Sequence, residues 1–167
     1  MVGSFLDQPL EAKLRAVDVN CRGMLALVHQ LAPGMTARGR GGLIIMSSLA
    51  GMAGHARVAT YGATKAFALV LAEALWSELA ERGVDVLAVC PGPTRTPGFQ
   101  QSRSRLPAAL VMEPDRVARE ALGALGRQPV LVPGTTNRLT ALFARGLPSR
   151  RAVLASLDHM VRSVYPR

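Results

Sequence analysis

The chain has 167 residues, of which 49% are hydrophobic and 19% charged, a composition that fits a globular domain with an apolar core and argues against disorder. Its net charge of +9 is compatible with nucleic acid, anionic lipid or a polyanionic small molecule as a partner. Because the charges are spread along the chain without clustered aromatics, we expect an ordinary solvated surface and no nucleic-acid partner.

The sequence gives no sign of export or of a metal site. The two cysteines lie outside any C-x-x-C or histidine-rich pattern, so they predict neither a disulfide framework nor metal ligands. No apolar run approaches the roughly 20 residues of a membrane span, and the N-terminus does not resemble a secretory signal. We therefore expect a cytoplasmic protein.

The first half of the chain alternates long helical patterns with a short apolar run. Apolar residues recur at steps of three or four over 9–38, which predicts a helix that Pro33 and Gly34 should bend or end. The continuous apolar sequence of 43–47 is typical of a strand buried on both faces. A loop of small residues, 48–60, then leads to a second long helix predicted over 61–82.

The second half repeats the alternation and fixes the predicted fold class. A buried strand over 84–90 is stopped by a Pro-Gly-Pro sequence, and a polar, arginine-bearing stretch follows to about residue 107. Further elements are expected as helices over 114–126, 137–145 and 149–164, with a short strand over 129–132. Apolar strands alternating with long helices predict an α/β fold, a doubly wound parallel sheet, with residues 1–167 forming a single domain.

The chemistry-bearing residues surround the start of the second long helix. Tyr61 and Lys65 are four residues apart, so on a helix they share a face, and the lysine cation favours the phenolate form of the tyrosine. Such a phenol can act as a general acid or base near neutrality. Ser48 follows the strand over 43–47, where doubly wound sheets place their ligands, and its hydroxyl can polarise the same carbonyl that Tyr61 protonates. A cofactor must supply the hydride, because no side chain can.

Together these pieces resemble the short-chain dehydrogenase/reductase family. The matching features are the strand followed by Ser-Ser-x-x-Gly, the thirteen-residue interval from Ser48 to Tyr61, the Tyr-x-x-x-Lys that opens a long helix, and a further strand ending in Pro-Gly. The resemblance implies that Ser48 orients the substrate carbonyl and that Tyr61 is the catalytic acid/base. It also implies that Lys65 supports the tyrosine and binds the nicotinamide ribose. Asn20 matches the family asparagine that holds a water in a proton relay.

The same resemblance implies a nicotinamide cofactor, NAD or NADP. The segment from Cys90 to Thr96 is similar to the Pro-Gly segment after the family's sixth strand. The cofactor-binding residues would then be Tyr61 and Lys65 together with Pro91, Gly92, Thr94 and Thr96. A Pro-Gly turn whose hydroxyls face water is the alternative at these last positions, and a mid-helix amide bonded to its own backbone is the alternative for Asn20.

The sequence departs from the family at its N-terminal side. Neither the glycine-rich Thr-Gly-x-x-x-Gly-x-Gly turn that binds the pyrophosphate nor the Asn-Asn-Ala-Gly segment occurs. We therefore expect an incomplete Rossmann-like domain of about three strands, with one sheet edge unpaired and no stable monomer. The residue that separates NAD from NADP would lie in the missing part.

Two functions from different classes remain open. The leading hypothesis is an NAD(P)-dependent oxidoreductase that interconverts an alcohol and a carbonyl in a small-molecule substrate. The alternative is a catalytically inactive scaffold that associates through the helices over 9–38 and 61–82, which the resemblance implicates in a homo-oligomer. The amphipathic helix over 149–164 more often packs on its own domain than on a membrane or a partner.

Overall fold

The computed structural model describes residues 2–101, 104–146 and 149–164. Within them the helices are α1 (Leu10–Val17), α2 (Met24–Ala37), α3 (Ala59–Ala80), α4 (Pro97–Gln101), α5 (Pro114–Ala124), α6 (Thr135–Gly146) and α7 (Arg150–Val164). The strands are β1 (Gly41–Met46), β2 (Val84–Val89) and β3 (Val130–Leu131). A π turn (Asp18–Gly23) joins α1 to α2.

The three strands form one parallel sheet in the order β1-β2-β3. β1 pairs with β2 from Gly41 opposite Val84 to Met46 opposite Val89, and β2 pairs with β3 only at Ala88 and Val89. Because the strands are parallel, their carboxyl ends lie at the same edge of the sheet, and the loops that follow β1 and β2 meet there.

Helices cover both faces of the sheet, as a doubly wound fold requires. One face packs against α2 and α3 through a cluster of buried side chains: Val28, Leu43, Ile45, Ala68, Leu69, Ala72, Val86, Ala88 and Cys90. The opposite face packs against α5 through Leu87, Val89, Val117, Ala121, Ala124 and Leu131. Alternate residues of β2 therefore enter different clusters, which explains why this strand is apolar at nearly every position. The α/β parallel-sheet prediction is confirmed.

Pro33 and Gly34 were expected to bend or end the first long helix, and the structure excludes the second outcome. Pro33 does not end the helix but lies inside α2, which continues to Ala37. Because proline has no N–H, the carbonyl four residues before it has no intrahelical donor. The proline lies on the solvent-exposed side of the helix, so this carbonyl need not be buried. The helix ends instead before Gly39, whose φ of +66° is the left-handed conformation that glycine adopts at helix ends.

Other boundaries differ by a few residues. β1 begins two residues earlier than the expected strand and α3 begins at Ala59. A short helix, α4, lies inside the polar, arginine-bearing stretch that follows β2, for which no helix was predicted; residues 102–103 of this stretch fall outside the described part.

The C-terminal helix packs mainly on its own fold. Val153, Leu157 and Val161 of α7 are buried, and Leu154 is 39% exposed. The Met160 side chain, which belongs to the same predicted apolar face, is outside the described part. Across 2–101, 104–146 and 149–164, no helix combines the length and the apolar character needed to cross a lipid bilayer.

Candidate active site

The loops after β1 and β2 are joined by backbone hydrogen bonds at the carboxyl edge of the sheet. The Ser47 N–H donates to the Val89 carbonyl at 2.8 Å, and the Leu49 N–H donates to the Pro91 carbonyl at 3.0 Å. The hydroxyl of Ser48 lies 3.5 Å from the same Pro91 oxygen and accepts the Ala50 N–H at 3.2 Å. The serine loop and the Pro-Gly turn therefore form one continuous surface at this edge.

Tyr61 and Lys65 occupy successive turns at the start of α3, as their spacing predicts. The Lys65 Nζ lies 5.8 Å from the centroid of the Tyr61 ring and donates to the Met46 carbonyl, the last of β1, at 2.9 Å. Burial lowers the pKa of the Lys65 ammonium below its ordinary value, and the nearby Cys21 sulfur acts in the opposite direction. The cation is thus fixed beside the tyrosine by a strand-end carbonyl and not by a carboxylate.

Asn20 reaches the same helix from the π turn. Its Nδ2 donates to Thr64 Oγ1 at 3.0 Å, and that hydroxyl donates to the Tyr61 carbonyl at 2.8 Å. A π turn carries one more residue per hydrogen-bonded ring than an α-helical turn, and such turns occur frequently at functional sites. Asn20 is therefore connected to the backbone of Tyr61 through a single hydroxyl.

Two glycines allow the serine loop to lie directly on α3. A methyl group at position 51 would lie 2.6 Å from the Lys65 carbonyl carbon and 2.8 Å from the Ala66 nitrogen. One at position 62 would lie 2.9 Å from the Ala50 oxygen. Backbone therefore packs against backbone between the loop and the helix, which sets the separation of Ser48 from the first turns of α3.

Sequence reasoning missed two residues of this site, Ser47 and Thr64. Both are buried, at 3% and 2% exposure. The Ser47 hydroxyl donates to the Lys65 carbonyl at 2.7 Å, and Thr64 mediates the contact of Asn20 described above. The signal available in the sequence was a hydroxyl residue next to each motif position, but only the fold shows which hydroxyl is buried and bonded.

The Pro-Gly turn after β2 holds Thr94 in a defined orientation. Thr94 forms a parallel bridge with Met112, in which the Arg95 N–H donates to the Met112 carbonyl at 2.8 Å and the Met112 N–H to the Pro93 carbonyl at 2.9 Å. The Thr94 N–H consequently faces away from Met112, and it donates to no acceptor among the described residues. Its hydroxyl donates to the Gly92 carbonyl at 3.0 Å.

Thr96 has a different environment from Thr94. It is exposed, and its hydroxyl accepts the Phe99 N–H at 3.2 Å, which caps the first turn of α4. The structure therefore brings Asn20, Ser48, Tyr61, Lys65, Pro91, Gly92 and Thr94 to one edge of the sheet, with Thr96 just beyond on the connection to α4. No group of three His, Cys, Asp or Glu side chains within the described ranges has the geometry to hold a metal ion.

His55 lies in the loop between Ser48 and Tyr61. Its Nδ1 is 2.8 Å from the Ala53 carbonyl, so Nδ1 carries a proton and donates to that oxygen. Burial lowers the pKa of His55, and the Arg150 guanidinium acts in the same direction, whereas the carbonyls of Ala53 and Ala50 oppose the shift. The ring is therefore kept neutral inside the loop that borders the site.

A family model described as short chain dehydrogenase matches residues 1–107. The chain belongs to the short chain dehydrogenase family. It is 31% identical to oxidoreductase UcpA of Escherichia coli K12 over 145 residues, which are 86% of the chain. Among solved structures, it is similar to one that concerns 7β-hydroxysteroid dehydrogenase stereoselectivity, at 25% identity and a TM-score of 0.83 over 94% of the chain. A short chain dehydrogenase from Burkholderia cenocepacia in complex with NADP gives 25% identity and a TM-score of 0.80 over 93%.

These matches involve only part of each relative. The chain spans 54% of UcpA, and 62% and 63% of the two solved chains. The family and the parallel α/β fold are thus shown for this short chain dehydrogenase, and both agree with the resemblance carried by the Ser48 loop and by Tyr61 and Lys65.

Proposed function

We propose that this short chain dehydrogenase is an NAD(P)-dependent oxidoreductase that interconverts an alcohol and a carbonyl. The observation that carries the proposal is the placement of the Lys65 ammonium, 5.8 Å from the Tyr61 ring centroid and bonded to the Met46 carbonyl, beside the Ser48 loop. A fixed cation next to a phenol at the carboxyl edge of a parallel sheet is an arrangement suited to proton transfer.

Each polar residue has a distinct role in this proposal. Tyr61 donates its phenolic proton to the carbonyl oxygen of the substrate during reduction and accepts it during oxidation. The Ser48 hydroxyl donates a hydrogen bond to the same oxygen and stabilises the charge that develops on it. Lys65 stabilises the phenolate that remains, and Asn20 holds a water through which the phenolate regains its proton.

The residues at the Pro-Gly turn fit a nicotinamide cofactor. The Thr94 N–H, directed away from its bridge partner, suits the carboxamide oxygen of a nicotinamide, and in this proposal the Lys65 ammonium binds the adjoining ribose. Pro91, Gly92 and Thr96 complete the proposed contacts. The cofactor, when bound, supplies or accepts the hydride. The NADP complex of the Burkholderia cenocepacia protein supports a nicotinamide dinucleotide, NAD or NADP, as the cofactor.

The substitution Tyr61→Phe tests the mechanism. It removes only the phenolic oxygen, because the Tyr61 carbonyl that Thr64 binds and the ring beside Lys65 are retained. We expect turnover to fall by roughly 10²–10⁴-fold, the contribution typical of a positioned acid/base. The measurement is the oxidation of NADH or NADPH at 340 nm with a panel of ketones and aldehydes.

The control for this test is Ser47→Ala at the same edge, which removes a structural hydroxyl that donates to the Lys65 carbonyl. It should lower the melting temperature more than Tyr61→Phe does. A Tyr61→Phe protein that turns over at the wild-type rate contradicts the proposed mechanism.

An association role is the second candidate, and one observation favours it. Apolar side chains on the outer faces of α1, α2 and α3 are exposed, including Leu14 at 53%, Leu27 at 60% and Val70 at 63%. A chain that assembles through these helices but binds neither NADH nor NADPH would be a scaffold. Titration of each dinucleotide by its fluorescence therefore separates the two candidates.

A further inference from the structure

Asn137 is one of three buried polar or charged side chains in the described part of the chain, at 8% exposure. The other two, Ser47 and Thr64, both belong to the candidate active site. Asn137 lies in the first turn of α6, far along the sequence from every motif residue. Burying an amide is costly unless its hydrogen-bonding groups are used, so its position calls for a specific role.

The amide nitrogen of Asn137 has two contacts. Its Nδ2 donates to the Pro133 carbonyl, one helical turn earlier, at 2.9 Å, and lies 3.2 Å from the Met112 sulfur. The bond to Pro133 fixes the side chain relative to the end of β3. The amide is thereby held on the connection that leads into α6.

The other side of the amide rests against Gly92. A methyl group at position 92 would lie 2.7 Å from Asn137 Cγ and 2.8 Å from its Nδ2, and closer still to its Oδ1. These distances are far shorter than a van der Waals contact, so Gly92 is the residue that permits the turn to sit on the amide. The Asn137 amide therefore limits how closely the Pro-Gly turn can approach α6.

Met112 connects the same amide to Thr94. The Met112 backbone bonds to Pro93 and Arg95 on either side of Thr94, while its sulfur contacts the Asn137 amide. The sulfur would also lie 2.8 Å from a methyl group at Gly134, so its position is restricted. Asn137 thus contacts both Gly92 and the residue that orients the Thr94 N–H.

We propose that Asn137 is a positioning residue for the nicotinamide cofactor. It sets the distance of the turn over 91–94 from α6 and the orientation of that turn. It therefore determines the direction of the Thr94 N–H without touching the cofactor itself. The inference rests on the proposed function, because it assigns the turn to the nicotinamide carboxamide. It extends the site to β3 and α6, which lie beyond the 1–107 match to the family model.

The first test compares Asn137→Ser with Asn137→Ala. A serine can still donate to the carbonyl four residues earlier but withdraws from Gly92 and Met112. We expect both variants to raise the Kd for NADH or NADPH roughly tenfold, the size expected for one lost orienting hydrogen bond. The KM for the carbonyl substrate should stay within about twofold of the wild-type value, and Asn137→Ser should melt close to the wild-type temperature.

Thr140→Ala is the matched control. Its hydroxyl donates to the Thr136 carbonyl at 2.9 Å on the same helix, away from the turn. It should leave dinucleotide affinity unchanged. Asn137 variants that bind the dinucleotide as tightly as Thr140→Ala overturn the inference, whereas a wild-type chain that binds no dinucleotide overturns the proposed function instead.

A double-mutant cycle tests the contact without any cofactor. Gly92→Ala should lower the melting temperature strongly in the wild-type background, because its methyl group meets the amide. In the Asn137→Ala background the same change should cost much less, so the melting temperature of the double variant should be higher than the sum of the two single shifts predicts. Additive shifts in melting temperature would show that Asn137 does not limit the turn, whatever the binding result.

Discussion

Three side chains at the active edge are held by hydrogen bonds to backbone carbonyls. Lys65 donates to Met46, Ser47 donates to Lys65, and His55 donates to Ala53. The ion pair between Arg22 and Asp18, away from this edge, is exposed and contributes about 0–1 kcal/mol. The geometry of the site should therefore be insensitive to ionic strength.

His55 predicts a pH dependence of stability. Its folded-state pKa is lowered by burial, so the unfolded chain takes up the proton first as the pH falls. The stabilisation by the neutral ring is complete above the ordinary pKa of histidine and is lost as the pH falls through the folded-state pKa. Melting temperatures measured from about pH 7.5 down to about pH 5 should fall more steeply for wild type than for His55→Gln.

His55→Gln retains an N–H donor for the Ala53 carbonyl but does not titrate, so acidic residues elsewhere affect both proteins equally. Parallel pH profiles for the two proteins would contradict the prediction.

At the level of elements, the sequence predicted the helices and strands better than their junctions. Tyr61, Lys65 and Ser48 could be proposed from the sequence because their spacing is fixed within one helix and one loop. Ser47, Thr64 and Asn137 were missed because their roles depend on contacts between segments far apart in the chain. Whether Pro33 would bend or end its helix could not be decided from the sequence, because the cost of a proline in a helix depends on whether the freed carbonyl is exposed.

The close approach of the serine loop to α3 predicts a large effect of a small substitution. Gly51→Ala places a methyl group 2.6 Å from backbone of Lys65, and backbone cannot rotate away as a side chain can. We expect a loss of about 2–3 kcal/mol in the free energy of unfolding, typical of severe overpacking. Urea denaturation measures it.

Gly123→Ala is the matched control for this change. Gly123 lies in α5, and a methyl group there would meet nothing within 4 Å. The substitution should be neutral or stabilise by up to about 1 kcal/mol through helix propensity. Equal effects at positions 51 and 123 would mean that the loop is not in tight contact with the helix.

At the scale of the molecule, about half of the exposed large apolar side chains among the described residues lie on α1, α2 and α3. Leu10, Leu14 and Val17 recur along α1 at steps of three or four, and Phe67 and Val70 are three residues apart on α3. Exposed apolar side chains that recur along one helix surface often mark an interface. We therefore propose a homo-oligomer in which α1, α2 and α3 form the contact.

The substitution Val70→Lys tests this assembly. The Val70 side chain is 63% exposed, so a lysine at this position should not disturb the fold. Burying the lysine charge in an interface is costly, so the substitution should weaken the assembly. Light scattering after size-exclusion chromatography should show a smaller species than wild type. Leu139→Lys on α6, at a similar exposure of 62%, serves as the control, and a wild-type protein already monomeric at high concentration contradicts the proposal.

The labelling rates of the two cysteines can report how often the sheet opens. Cys90 follows β2 and is fully buried in the cluster between the sheet and α3, whereas Cys21 in the π turn is half-buried. A thiol reagent reaches Cys90 only after the strands separate from α3, so its labelling rate reports how often the core opens. Cys21 should react with the reagent without opening of the core. Its labelling rate therefore serves as the reference for the rate at Cys90 in the same sample.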